Sequence, residues 1–234
     1  MNIIQEKQVI LDRIKAGNPK YADLRYSQLS QSYLRAVTSM VGTTSQIPFT
    51  LQQNVKSAAP LSCENLLQLN DKFVITHVNI GLLYIPATQT PTALQLAKAN
   101  VLTYCDTQTI TTATAQNSAA LFNGTLTFTI NRTEYVPAFP MRAFLRVPVT
   151  QTNANLITDG TSGTPAATFT GNAGQNGYDN GLFGFYPFEP VVIDGDTTLD
   201  ISVNLGTSVN TDDNTNYIAA VMEVRGYLIV NAKS

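Results

Sequence analysis

Apolar and polar residues alternate along several stretches of this chain. Leu, Ile and Val alternate with Asp, Ser and Asn from Leu199 to Leu205, and Leu, Phe and Ile alternate with three Thr from Thr125 to Ile130. From Tyr217 to Val230 every even position is apolar except Gly226. A period of two is typical of strands that pack one face on a core. The pattern predicts an all-β chain with antiparallel sheets.

Four further stretches have strand character and are bounded by turn residues: Ile47–Gln53, Phe73–Ile85, Val101–Thr112 and Tyr135–Val149. The longest of these predicts a central strand with one apolar face, formed by Val74, Val78, Ile80, Leu82 and Tyr84. The last one contains three prolines, which favours an interrupted or edge strand. Its regular part is predicted at Ala143, Leu145 and Val147.

The stretch from Pro190 to Leu205 reads as an apolar strand, a turn at Asp194-Gly195-Asp196 and a second strand. Gly and Asp favour tight turns between paired strands. The sequence therefore predicts a strand pair joined by a hairpin turn.

Helical signals are concentrated before residue 45. Asn2 and Gln5 have capping-box spacing, and an apolar stripe follows until Gly17. That stripe contains Ile3, Ile4, Ile10, Leu11 and Ile14. Spacings of three and four between Ala22 and Val37 predict a second helix, although its β-branched end also fits a strand. Pro91 predicts one short helix inserted between strands.

The predicted organisation is a helical arm over residues 1–44 and one β-sandwich domain over residues 45–234. Within the domain, residues 151–181 are almost entirely Gly, Asn, Thr, Ala and Asp, which predicts a long loop. A short isolated helix is marginal in water, so the arm is expected to dock on the body or on another subunit. We expect neighbouring subunits to order both the arm and the loop.

Charge is sparse and unevenly distributed. Charged residues make up 13% of the chain, and hydrophobic residues make up 44%. Residues 1–35 carry six Lys/Arg against three Asp/Glu, and the remainder carries eight against thirteen. A surface with few charges tolerates cover by copies of the same chain. The basic arm permits a contact with nucleic acid, but its alternating signs favour an ordinary solvated helix face.

The sequence predicts neither a secretory signal nor a transmembrane segment. Met1 is followed by no cationic region and no apolar region, and no apolar run reaches 18 residues. We expect a soluble protein that is synthesised in a host cytoplasm.

Residues for catalysis or metal binding are scarce. His77 is the single histidine and lies out of phase with the apolar face of its strand, while Cys63 and Cys105 are too few for a disulfide framework or a Cys-rich metal site. Asp194, Asp196 and Asp200 lack the spacing of a calcium loop. We therefore predict no catalytic residue, no metal site and no cofactor, and we expect that the protein is not an enzyme.

An aromatic run precedes the strand at Pro190. It contains Phe183, Phe185, Tyr186 and Phe188. Such clusters serve as interface anchors, as core residues or as ligand platforms, and we favour a subunit interface. The suspected interface residues are Ile3, Ile10, Leu11, Ile14, Phe183, Phe185, Tyr186 and Phe188.

The pattern as a whole resembles the virion structural proteins of tailless and other viruses, bacteriophages included, that use a single eight-stranded jelly roll. The features that carry the resemblance are the strand count, the helical arm, the helix at Pro91, the late polar loop and the sequence from Phe188 to Leu205 followed by a long final strand. The resemblance implies a jelly-roll β-sandwich in a virion. It further implies self-assembly into a capsid shell in many copies, contacts with other virion proteins and no catalysis.

Two other classes remain open. A virion spike, fibre or decoration protein, or another carbohydrate-binding or receptor-binding module, would share the sandwich and expose Phe183 and Tyr186 in a groove. A β-sandwich enzyme would need convergent carboxylates or His77 in a pocket.

Overall fold

A computed structural model describes residues 3–17, 25, 29–56, 59–85, 91–105, 110, 113–146, 185–212 and 216–230. The helices are α1 (Ile3–Gly17), α2 (Ala93–Lys98), α3 (Ala113–Gln116) and two 3-10 helices at Asn117–Asn123 and Met141–Phe144. The strands are β1 (Ser30–Ser39), β2 (Thr43–Phe49), β3 (Lys72–Ile85), β4 (Val101–Leu102), β5 (Thr125–Ile130), β6 (Thr133–Pro140), β7 (Tyr186–Asp194), β8 (Leu199–Asn210) and β9 (Tyr217–Ile229).

The strands form two antiparallel sheets. Sheet A has the order β1-β9-β3, and both β7 and β4 pair with the other edge of β3. β7 follows the first half of β3, and β4 pairs with Leu82 and Leu83. Sheet B has the order β2-β8-β5-β6. The predicted all-β antiparallel sandwich is confirmed.

The main core lies between the two sheets. Alternate residues of β5, β8 and β9 point into it because strand side chains alternate between faces. These core residues are Leu126, Phe128 and Ile130 from β5, Ile201, Val203 and Leu205 from β8, and Ile218, Ala220, Met222 and Val224 from β9. The periodicity of these three strands therefore identified the buried face correctly.

Two helices cover the two ends of the outer face of sheet A. At one end α1 packs Ile10, Leu11 and Ile14 on Val74, Tyr227 and Ile229. At the other end α2 packs Leu96 on a second apolar cluster, which consists of Val37, Leu83, Ile85, Ala219 and Val221. Burying one large aliphatic side chain contributes about 1.5–3 kcal/mol, so α1 is held mainly by this stripe. The middle of the face stays polar.

A β-bulge at Thr76 changes which side chains of β3 face the core. The register of β3 shifts between Ile75 and His77 against both β7 and β9. Val74 consequently contacts the α1 cluster, whereas Val78 lies in the core between the sheets. The prediction that Val74 shares a face with Val78, Ile80 and Leu82 is therefore wrong, because an unpaired residue inverts the alternation.

Two helix and strand predictions need correction. The second predicted helix extends to Val37, but Ser30–Ser39 is β1, which pairs with β9 over its whole length. In this segment the hydrogen bonds to β9 outweigh the weak helical tendency of apolar residues spaced three and four apart. The regular strand predicted around Ala143 is wrong because Met141–Phe144 forms a 3-10 helix after the edge strand β6.

The stretch from Pro190 to Leu205 forms two strands as predicted, but the strands are not partners. β7 pairs with β3 in sheet A, and β8 pairs with β2 and β5 in sheet B. The turn at Asp194 therefore carries the chain from one sheet to the other. The buried amide of Gln52 holds this turn, since its Nε2 lies 2.8 Å from the carbonyl oxygens of both Asp194 and Thr197.

The remaining predictions differ in their outcome. α1, the central strand β3 and the short helix after Pro91 are confirmed, and Thr92 caps that helix through a capping box with Gln95. Of the strand predicted from Val101 to Thr112, the described residues show only Val101–Leu102. The loop at 151–181 and Phe183 lie outside the described residues.

Candidate functional site

A groove of about 660 Å³ lies on the outer face of sheet A, between the end covered by α1 and the end covered by α2. Polar and aromatic side chains from β1, β3 and β9, together with Phe185 just before β7, line it. The lining residues are Gln31, Ser32, Tyr33, Arg35, Thr76, His77, Phe185, Glu223, Arg225, Gly226 and Tyr227.

The strand register places the charged side chains in two adjacent rows. Arg225 of β9 lies opposite Tyr33 of β1 and His77 of β3. Glu223 lies in the next row, opposite Arg35 and Asn79. Neighbouring strands are about 4.8 Å apart, so the members of each row are close enough for their side chains to interact.

Arg35 and Glu223 form the ion pair of the groove. Arg35 Nη1 lies 3.5 Å from Glu223 Oε1, and the two side chains are 18% and 21% exposed. Arg35 Nε and Nη2 and Asn79 Oδ1 are buried and have no hydrogen-bond partner among the described residues. Buried polar atoms without partners cost free energy, and functional sites are one place where that cost is tolerated.

Arg225 is an exposed cation that rests on an aromatic ring. Its guanidinium carbon lies 3.9 Å from the ring centroid of Phe185, which is 6% exposed. No carboxylate among the described residues forms an ion pair with Arg225. A guanidinium that lies over a ring can still donate hydrogen bonds from the N–H groups along its edge.

A short chain of hydrogen bonds orients His77. Thr76 Oγ1 donates to the carbonyl oxygen of Arg225 at 3.1 Å and lies 3.0 Å from His77 Nδ1. A hydroxyl has one hydrogen to donate, so both contacts are hydrogen bonds only if Nδ1 carries a proton and donates to Thr76. That arrangement requires the Nδ1–H tautomer of a neutral imidazole.

Cys63, which lies near Arg35, and His77 are two potentially reactive groups at the groove. The pKa of the Cys63 thiol is raised by burial, with a smaller opposing effect from Arg35, whereas a nucleophilic cysteine needs a lowered pKa. His77 lies in the groove, as an enzyme would require, and its Nδ1 lies 3.0 Å from the hydroxyl oxygen of Thr76. Within the described residues no group of three or more His, Cys, Asp or Glu is placed to hold a metal ion.

The suspected interface residues lie at two places in the structure. Ile10, Leu11 and Ile14 are buried under α1 on their own sheet, although the side chain of Ile3 lies outside the described part. Tyr186 and Phe188 are half-buried, and their ring centroids both lie 5.2 Å from that of Phe139 at the margin of the core. Phe185 lies in the groove. The role of these residues in a subunit interface stays a prediction.

Arg35, Glu223 and Arg225 are site residues that were not predicted from the sequence. The sequence of β9 contains a signal for Glu223 and Arg225, because its odd positions are apolar at both ends of the strand and charged in the middle. The even positions of such a strand face the core. Charged residues in the middle of its odd positions, with apolar residues on both sides, indicate an outer face that is covered at its two ends and open to solvent in between. Arg35 gives no such signal because its strand was predicted as helix.

Comparisons with protein-family models, with curated proteins and with solved structures gave no match. Across the part of the chain that the structure describes, no helix has the length and apolar character needed to cross a membrane.

Proposed function

We propose that the sandwich is a jelly roll and that the chain is a non-enzymatic virion structural protein, a major or minor capsid protein that assembles with copies of itself into a shell. The strand order is the observation that supports this proposal best. Without the two-residue β4, eight strands remain, in sheets ordered β1-β9-β3-β7 and β2-β8-β5-β6.

In this order each strand pairs with the strand that is equally far from the other end of the chain. The first strand pairs with the last, the second with the seventh, the third with the sixth and the fourth with the fifth: β1 with β9, β2 with β8, β3 with β7 and β5 with β6. One long antiparallel hairpin rolled into two sheets has this pairing, and it is the plan of jelly rolls in viral capsids.

The outer face of sheet B supports self-association. Its centre carries short uncharged side chains, among them Thr125, Thr127 and Ser202. Gln46 Nε2 donates to Ser202 Oγ at 2.8 Å, and Thr127 Oγ1 lies 3.1 Å from the same oxygen. Interface centres are depleted of charge, so the centre of this face suits contact with another copy.

Electron microscopy of the purified protein, combined with its mass in solution by light scattering, tests this function. We expect closed particles or regular sheets that form in a concentration-dependent manner. A discrete trimer would favour a spike, fibre or decoration protein. A monomer at every concentration and ionic strength would contradict assembly.

Location and partners follow from the same proposal. The protein would be made in the host cytoplasm and reside in the virion, next to other virion proteins. The basic arm remains a possible contact for nucleic acid, although Lys7 is engaged by its own chain. Lys7 Nζ donates to the carbonyl oxygen of Leu29 at 2.9 Å and lies 5.6 Å from the ring centroid of Tyr227.

A further inference from the structure

We propose that the groove on sheet A binds a carboxylate, with Arg225 as its main contact and the exposed ring of Tyr33 beside the body of the ligand. This proposal goes beyond the structural role above and does not depend on it. It rests on the geometry of Arg225, on the charge of the groove and on its size.

Arg225 is prepared to receive a planar anion. Its guanidinium is stacked on the buried ring of Phe185 at 3.9 Å, and the described residues offer it no carboxylate partner. Contact with the ring restricts the guanidinium, so less side-chain entropy is lost when two parallel N–H groups bind the two oxygens of a carboxylate.

The charge of the groove favours a monovalent anion. Arg35 and Arg225 contribute two positive charges, and Glu223 contributes one negative charge. One carboxylate balances this excess of one. A phosphomonoester carries about −1.5 to −2 at neutral pH and would meet the Glu223 carboxylate with uncompensated charge.

The remaining lining fits an apolar or ring-shaped body. Tyr33 is 53% exposed at one side of the groove and offers its ring to a ligand, whereas Tyr227 is 2% exposed and forms the wall toward α1. A volume of about 660 Å³ falls within the range of roughly 300–1,000 Å³ typical of small-ligand sites. The ligand class is therefore a carboxylate attached to an apolar or aromatic group.

Benzoate is a suitable probe, with benzamide as its neutral isostere and phenyl phosphate as the dianionic analogue. In calorimetric or NMR titrations of the full chain we expect benzoate to bind with a Kd on the order of 1 mM. We expect its shift changes to cluster at Tyr33, His77 and Arg225. Benzamide should bind at least roughly tenfold more weakly, and phenyl phosphate should bind no more tightly than benzoate.

Variants locate the contact. Arg225→Gln should weaken benzoate binding at least roughly tenfold, and Arg225→Lys, which keeps the charge without the planar fork, should give an intermediate loss. Arg13→Gln removes an exposed cation of α1 outside the groove and should leave binding unchanged. Equal binding of benzoate and benzamide would overturn the proposal, as would benzoate binding that is insensitive to both Arg225 variants.

The carboxylate can come from a free small molecule or from another copy of the chain. Asp200 and Glu134 are exposed on sheet B, on either side of Thr129 in the register, and are candidate donors from a second copy. If they donate, saturating benzoate and the double substitution Asp200→Asn with Glu134→Gln should each reduce self-association in sedimentation velocity. If a free ligand is the source, both treatments leave the sedimentation unchanged while benzoate still binds. Failure of assembly and failure of carboxylate binding are thus separate results.

Discussion

Gly226 shows how one residue sets the geometry of the groove. It faces the bulge of β3, where a Cβ atom at its position would lie 1.7 Å from the carbonyl oxygen of Val74. The close approach of β9 to β3 at this point is therefore possible only without a side chain. The same place interrupts the apolar even positions of β9, so the sequence marks it.

We predict that Gly226→Ala destabilises the protein by at least about 2 kcal/mol, because the backbone of one strand must move away from the other. Urea unfolding followed by circular dichroism measures the free energy of unfolding. Gly206→Ala is the matched control, since Gly206 has a φ of +76° but open space around the added carbon. It should cost only about 1 kcal/mol, the price of a left-handed backbone. Equal losses in the two variants would contradict the steric explanation.

The contacts of individual side chains were the hardest feature to predict from the sequence. The position of His77 on the outer face follows from its phase in the strand, but the stacking of Arg225 on Phe185 joins residues 40 positions apart and depends on the sheet register. Asp194 reads as a turn residue, and the turn is present. The bond from Gln52 that secures this turn leaves no local pattern because its partners are carbonyl oxygens 142 and 145 residues away.

At the scale of elements, α1 depends on the sheet beneath it. A helix of this length is marginal in isolation, and its buried residues Ile10, Leu11 and Ile14 contact the far end of the chain through Tyr227 and Ile229. The amphipathic spacing predicted the helix and its buried stripe. Its docking site was not predictable, because the Thr76 bulge turns Val74 outward only in the folded sheet.

We predict that Leu11→Ala weakens the docking of α1 by about 2 kcal/mol or more, since a nearly fully buried side chain is lost. Amide hydrogen exchange along α1 should then accelerate by more than tenfold while the strands of sheet B keep their protection. Val9→Ala is the control, because Val9 is 43% exposed on the same helix. If both variants exchange at the same rate, the stripe does not hold the helix.

At the scale of the whole molecule, the alternating patterns of β5, β8 and β9 were enough to predict an antiparallel sandwich. They were not enough to order the strands, because β7 and β8 are adjacent in sequence and lie in different sheets. A turn that joins two different sheets can have the same amino-acid sequence as a hairpin turn, and Asp194-Gly195-Asp196 is an example. β1 was not predicted as a strand because its extended conformation depends on pairing with β9, the last strand of the chain.

If the uncharged centre of the outer face of sheet B is an assembly contact, Thr127→Lys should abolish particles while leaving the monomer folded. A charge buried in an interface without a partner costs far more than one on a solvated sheet. Particle yield by electron microscopy and monomer stability by thermal unfolding measure the two effects. Gln8→Lys places the same charge on the exposed face of α1 and should preserve particles. Normal particles from Thr127→Lys would exclude this face as the contact.

The strand edges have a consequence for how copies can meet. Edge strand β6 contains Pro137 and Pro140, a φ of +47° at Ala138 and two register shifts against β5. The edge of β1 is occupied at Arg35, whose backbone exchanges hydrogen bonds of 2.8 and 3.0 Å with Asn65. Such edges resist the strand-by-strand growth that leads to fibrils. At these two edges, copies of this chain are therefore directed toward contacts between side-chain surfaces, which can form and dissociate without exchanging backbone hydrogen bonds.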